Sequence, residues 1–289
     1  MRLHRKDTPL MDAPDVQPEF DLIDSPDGAC HQATASLMQV LKTVAIPRLL
    51  ARRAVLPIGV PVADPCAAEL ARLLVATDPA PAYALIDDRR RQDGAIVPLS
   101  ASLFEPTARQ LGDLWLADDC TEVDVTLGLC RLQLAARRVS AGEVPAAVAI
   151  RPGRRVLVAP QPGELHLLTA SLDAEVLWRA GWDIACEFPT SDDAVQALVA
   201  DTWFDALDLS LSAAFRREDW LPRMARTIML ARIASRNPAL VVVVGGRIFF
   251  DRKDAGDRVG ADRASSTALQ AEWSILTARP AQSPAGPTH

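Results

Sequence analysis

The chain has 289 residues, 49% of them hydrophobic and 24% charged, and carries a net charge of −6. That length holds two domains with cores of their own, and the apolar fraction excludes a mostly disordered chain. The acidic balance argues against a broad nucleic-acid-binding face, which needs clustered Lys and Arg to neutralise phosphates.

Residues 1–28 are rich in Pro and Asp without sustained periodicity and read as a mobile arm. From 29 to 142 every strong pattern is helical, so a helical bundle is expected there. It begins with "CHQATASLMQVLKTVAIPRLLARRAV", one or two helices with Pro47 marking a kink or break, followed by "ADPCAAELARLLVAT" and "APAYALIDDRRRQ". The basic run in the last of these, 87–92, reads as a solvated helix face. In "SLFEPTARQLGDLWLADD", Phe104, Ala108, Leu111 and Trp115 share one face. In "TEVDVTLGLCRLQLAARRV", Val125, Leu129, Leu132 and Ala136 do the same, and Thr121 is placed to cap the helix with an acid three residues on. Residues 143–153 read as a linker.

From 154 to 278 the period changes. "RRVLVAP", "WDIACEF", "FDALDLSLS", "ALVVVVGG" and "VGADRAS" are five candidate strands, several apolar almost throughout, as strands covered on both faces are. Helical stretches alternate with them, one striped by Leu165, Leu168, Leu172 and Val176, another by Leu221, Met224, Ile228 and Ala231. Alternation predicts an α/β domain, a five-stranded parallel sheet of flavodoxin-like or Rossmann-like type with order 2-1-3-4-5. Residues 279–289 read as a disordered tail. The cysteines (Cys30, Cys66, Cys120, Cys130, Cys186) are scattered without a C-x-x-C pair and read as reduced thiols. Neither a signal peptide nor an apolar run long enough to span a bilayer is evident, so a cytoplasmic protein away from membranes is expected.

In an open parallel sheet, ligands bind outside the carboxyl ends of the strands near the switch in strand order. His166 follows the first strand, Ser210 and Ser212 end the third, and Gly245 and Gly246 end the fourth. A neutral imidazole is a common metal ligand, and Glu164 two residues earlier is placed to hold its other nitrogen, with Ser210 next in that chain of contacts. Glycines let a bulky ligand lie against the backbone. Trp115 belongs to the bundle core stripe and offers a large apolar wall to a cofactor.

The stretch "PGELHLLTASLDAEVLWRAGW…DLSLS…VVGG…VGAD" resembles the cobalamin-binding domain of methionine synthase, corrinoid carriers and mutases, whose motif is D-x-H-x-x-G, then S-x-L, then G-G. Glu164, Thr169 and Ser212 depart from it, standing where the family has Asp, Gly and Leu. The bundle stretch 108–133 and "SRNPALVVVVGG" resemble the AerR/PpaA-type antirepressors of photosynthetic bacteria, which pair a bundle with such a domain. CarH-type light sensors are more distant relatives. Their bundle Trp is matched by Trp115, but Val125 and Thr126 occupy the positions of their following Glu-His pair.

The resemblance implies cobalamin as cofactor, with His166 as the lower axial ligand of cobalt and Ser210, Gly245 and Gly246 lining a slot for the nucleotide tail. It implies a light- or redox-responsive regulator, not an enzyme, whose partner is a transcriptional repressor of photosynthesis genes and which does not itself bind DNA. Two alternatives stay open: a haem-binding sensor on the same fold, since one axial histidine suits either metal, and a corrinoid methyl-carrier subunit of a methyltransferase.

Overall fold

The computed structural model describes residues 64–93, 95–143, 154–212, 219–252 and 254–278. The expected arm, the helices before residue 64, most of the linker (144–153) and the tail from 279 lie outside the described residues. Bundle helices and sheet belong to one compact unit within residues 54–289.

The helical layer comprises α1 (Ala67–Val75), α2 (Ala80–Asp93), α3 (Ile96–Leu99), a π-helical turn (Ser100–Phe104), α4 (Glu105–Leu116) and α5 (Glu122–Ala141). Helix α3 and the π turn lie where no separate element was expected, and Pro106 accounts for the turn. Proline has no N–H to give the carbonyl four residues back, and the Ser102 carbonyl accepts from the Asp64 N–H instead (2.8 Å). Glu105 N–H reaches back five residues to the Ser100 carbonyl, which widens the turn. The π turn then feeds α4 with Phe104 and Leu111 fully buried, and with Ala108 and Trp115 packed against the same core. At α5 the expected cap is present as a reciprocal capping box: Thr121 Oγ1 accepts from Asp124 N–H and Asp124 Oδ2 accepts from Thr121 N–H.

The α/β part is a five-stranded sheet of order β2-β1-β3-β4-β5, all pairs parallel, as expected. Its strands are β1 (Arg155–Pro160), β2 (Asp183–Cys186), β3 (Ala206–Ser210), β4 (Val241–Gly245) and β5 (Arg263–Ser265). The intervening helices are α6 (Leu168–Arg179), α7 (Asp192–Asp201), α8 (Trp220–Ala234), α9 (Arg247–Asp251), α10 (Ala255–Arg258) and α11 (Ala268–Thr277). Leu157, Leu207, Leu209, Val242 and Val244 pack with Val195, Met224 and Ile228 of α7 and α8 on one face. Val156, Val158, Ala206 and Val243 meet Leu177 of α6 and Ala271 of α11 on the other. Alternation along β3 therefore turns Asp208 and Ser210, both buried, toward the α6 and α11 side with Ala206.

The bundle docks on that same side. Leu168, Leu172 and Val176 of α6 share one buried cluster with Leu111 of α4 and Val125 and Leu132 of α5. Leu165 does not join them: it is 86% exposed in the loop before α6, because the helix starts at Leu168 and the expected stripe begins one member too early.

Candidate functional site

A cleft opens where α4 and α5 overhang the carboxyl ends of the strands, with a volume of about 980 Å³, its mouth included. Its roof is apolar, formed by Ala108, Trp115, Val125 and Leu129, and Leu168 and Leu172 of α6 continue that surface. His166, Ser212 and Gly246 come from the loops after β1, β3 and β4. The strand order brings these three together, because β1, β3 and β4 are consecutive neighbours in the sheet.

His166 is held from behind. Glu164 Oε1 accepts hydrogen bonds from the His166 backbone N–H (2.7 Å) and makes a 2.9 Å contact with its Nδ1. The other carboxylate oxygen accepts from the Ser212 N–H at 2.9 Å. Burial pushes the Glu164 carboxyl upward, but hydrogen bonds from His166 and Ser212 outweigh it and hold the group below its ordinary value. With Nδ1 tied to a carboxylate, the free lone pair of the neutral ring lies on Nε2, the arrangement a metal-binding imidazole uses. Among the described residues no group of three or more His, Cys, Asp and Glu could hold a metal ion. A metal here would have to bring most of its own ligands, as the metal of a corrin or porphyrin ring does.

One expected contact is corrected. The serine that continues the Glu164–His166 chain is Ser212, whose Oγ lies 3.3 Å from Nδ1. Ser210 is not part of it. The alternation of β3 turns its hydroxyl toward the α6 and α11 side, where it is buried without a hydrogen-bond partner. Gly245 likewise does not line the cleft: a Cβ there would stand 3.1 Å from Ser265 Oγ and 3.5 Å from Asp173 Oδ2. Gly246 does line it, with φ +109°, and a Cβ at that residue would fall 2.2 Å from the Leu211 carbonyl oxygen. Trp115, read both as bundle core and as cavity wall, is in both places.

Other lining residues carried no signal in the sequence. Arg247, the first residue of α9, bridges to the bundle: its guanidinium donates to Asp113 Oδ1 (2.6 Å) and to the Arg109 carbonyl (2.7 Å) and pairs with Asp251. Gly112 leaves room for it, since a Cβ there would meet Arg247 Nη1 at 3.1 Å. Glu105 Oε1 accepts from the Ala268 N–H (2.6 Å), satisfying the first amide of α11. These contacts tie α4 to the sheet on both sides of the cleft. Burial raises the Glu105 carboxyl to about 7 and that of Asp208 to about 7. Asp173 is raised well above its ordinary value by burial and by the neighbouring Asp208 and Glu105 charges.

No family model matches the chain. Over 178 residues it is 28% identical to an uncharacterized 20.5 kDa protein in the bchF–crtJ intergenic region of Rhodobacter capsulatus, covering 62% of this chain and 90% of that protein. Among solved structures it is similar to the monomethylamine corrinoid protein of Methanosarcina barkeri, with a TM-score of 0.55, 16% identity, and 71% of this chain and 93% of the other covered. The two share a fold. A cobalamin-binding protein of Desulfitobacterium hafniense also matches, at TM-score 0.37 and 15% identity, over 71% of this chain and 95% of that one. Among the described residues no helix is long and apolar enough to cross a membrane.

Proposed function

We propose that this chain is a cobalamin-binding regulatory protein, an antirepressor acting on a transcriptional repressor, and not an enzyme. The observation that carries the reading is the Glu164-braced imidazole of His166 facing a large cleft between the bundle and the strand ends. Cobalamin suits the residues present: one oriented histidine that would hold its metal, and an apolar roof including Trp115. The shared fold with a corrinoid protein supports the cofactor. The relative in the bchF–crtJ intergenic region, together with the AerR/PpaA resemblance, supports a role with photosynthesis genes.

Bound cobalamin would supply a metal centre whose state responds to light or redox conditions. The protein's part would be to respond to that state. Trp115 of α4 and Val125 and Leu129 of α5 line the same cleft, so these helices would pack differently over different states of the bound group. Occupancy alone does not switch a two-state element; the ligand forms must differ in their contacts with it. The repressor then reads the surface of the helical layer, and no DNA contact by this chain is required.

The test is a gel-shift assay with the purified repressor on its operator. The protein loaded with hydroxocobalamin is added in darkness and after illumination. Release of the repressor in one state only, lost with His166→Ala, is expected. Equal effects in both states, or an effect without cobalamin, would contradict the regulatory reading.

A further inference from the structure

We propose that α5 carries a self-association face, on which a second copy of this chain docks with its own α5 running antiparallel, independently of what fills the cleft. The face is an apolar stripe. Val123, Leu127, Cys130 and Leu134 follow one another at +4, +3 and +4, the spacing that keeps side chains on one side of a helix. All four are exposed, Val123 at 74%, Leu127 at 43% and Leu134 at 52%. The fold of the chain does not use them, because α5 meets its own core through Val125, Leu132, Ala135, Ala136 and Val139 on the other side. A contiguous row of large apolar side chains left in water marks an interaction surface.

The charges around the stripe select the occupant. Its N-terminal end is acidic, with Asp118, Asp119 and Glu122 exposed, and its C-terminal end is basic, with Arg137 and Arg138 exposed. Among the described residues none of these five is in an ion pair. A second copy lying parallel would set like charges together at each end, whereas an antiparallel copy sets acid against base at both. A two-fold axis centred between Leu127 and Cys130 places Val123 opposite the second copy's Leu134, and Leu127 opposite its Cys130. The same register brings Asp119 opposite the second copy's Arg138 and Glu122 within one helical turn of its Arg137, and the symmetry makes each pairing twice. Arg138 is prepared for an incoming acid: it lies over the Tyr83 ring (5.5 Å) beside a recess where Asp87 is the one acid against Arg90 and Arg138. The contact leaves the cleft open, because Val125 and Leu129, which line it, lie away from the stripe on α5.

Sedimentation equilibrium of the purified full chain measures the association. A monomer–dimer equilibrium is expected, weakened as salt screens the end charges. Leu127→Glu is expected to raise the dimer Kd at least about tenfold, since it puts a charge into the apolar centre of the face. Arg138→Glu and Asp119→Arg are each expected to raise it by about tenfold, and the double variant, which exchanges the two charges, to return it toward the unaltered value. These positions are on the surface, and circular dichroism checks that each variant is folded. A short bismaleimide is expected to join Cys130 to Cys130 of the second copy, giving a covalent dimer that Cys130→Ser lacks. A chain monomeric over the whole concentration range, including one whose own segments shield Cys130 from maleimide, would overturn the proposal. A dimer indifferent to Leu127→Glu, or one that the double variant does not restore, would overturn it as well, because the copies would then meet through another face.

Discussion

Replacing Gly246 with alanine probes the close approach of the end of β4 to the backbone of Leu211. The backbone there, at φ +109° and ψ 172°, lies in a region that residues with a side chain rarely occupy, at a cost of about 1–3 kcal/mol. The new methyl would also fall 2.2 Å from the Leu211 carbonyl oxygen and 3.1 Å from its carbon, both backbone atoms that cannot turn aside. Overpacking of this kind adds about 1–3 kcal/mol, so a total near 3 kcal/mol is expected. For a protein of this size that lowers Tm by about 6–12 °C. Gly245→Ala is the matched control. Its methyl would meet Ser265 Oγ at 3.1 Å, the end of a side chain that can rotate, and a cost below about 1 kcal/mol is expected. Urea unfolding followed by tryptophan fluorescence measures both. A Gly246→Ala variant within about 1 kcal/mol of the unaltered protein, or a Gly245→Ala variant costing as much as it, would refute the reasoning.

Glu164→Ala removes the acceptor of the His166 and Ser212 N–H groups and the tether of the imidazole; it is expected to lower stability by about 2 kcal/mol and hydroxocobalamin affinity by about 10–100-fold, measured by unfolding and spectral titration. Glu105 has a folded-state pKa of about 7 against an ordinary 4.5, so its protonated form is favoured by folding: the associated stability is full below pH 4.5 and is lost as pH rises through 7. That interval corresponds to about 3 kcal/mol as an upper bound, and calorimetry should show Tm falling across it, with a shallower fall in Glu105→Gln. Asp208→Asn removes a buried acid raised in the same direction and should raise Tm at pH 8 relative to the unaltered protein. Thr121→Ala breaks the capping box of α5 and should cost about 1 kcal/mol in the same unfolding assay, leaving ligand binding unchanged.

The sheet was legible because its signals are long and redundant. Apolar runs such as Leu157–Ala159 and Val241–Val244, alternating with helical stripes, leave one economical topology, and β1 to β5 adopt it. Strand order alone places His166, Ser212 and Gly246 together. Position within a strand end was harder to read. Ser210 and Ser212 lie on the same side by simple alternation, yet the chain leaves the sheet between them, so one is buried on the α6 and α11 side and the other reaches the rim. Leu165 has the spacing of the stripe but precedes the helix, which begins three residues later. Glu105, Asp173, Thr267 and Arg247 left no local signature: each is an ordinary polar residue in its own segment. Only the docking of α4 over the strand ends brings them to one cavity. Asp208, itself buried and alternating with leucines in a strand buried throughout, is the visible hint of a polar interior on that face.

The account turns on the imidazole of His166 as a metal ligand. Adding hydroxocobalamin to the purified protein should give saturable binding with an absorption change marking replacement of a cobalt ligand. In His166→Ala that change should vanish and affinity should fall by at least about tenfold. A variant that retains the same spectrum and the same affinity would contradict the central claim.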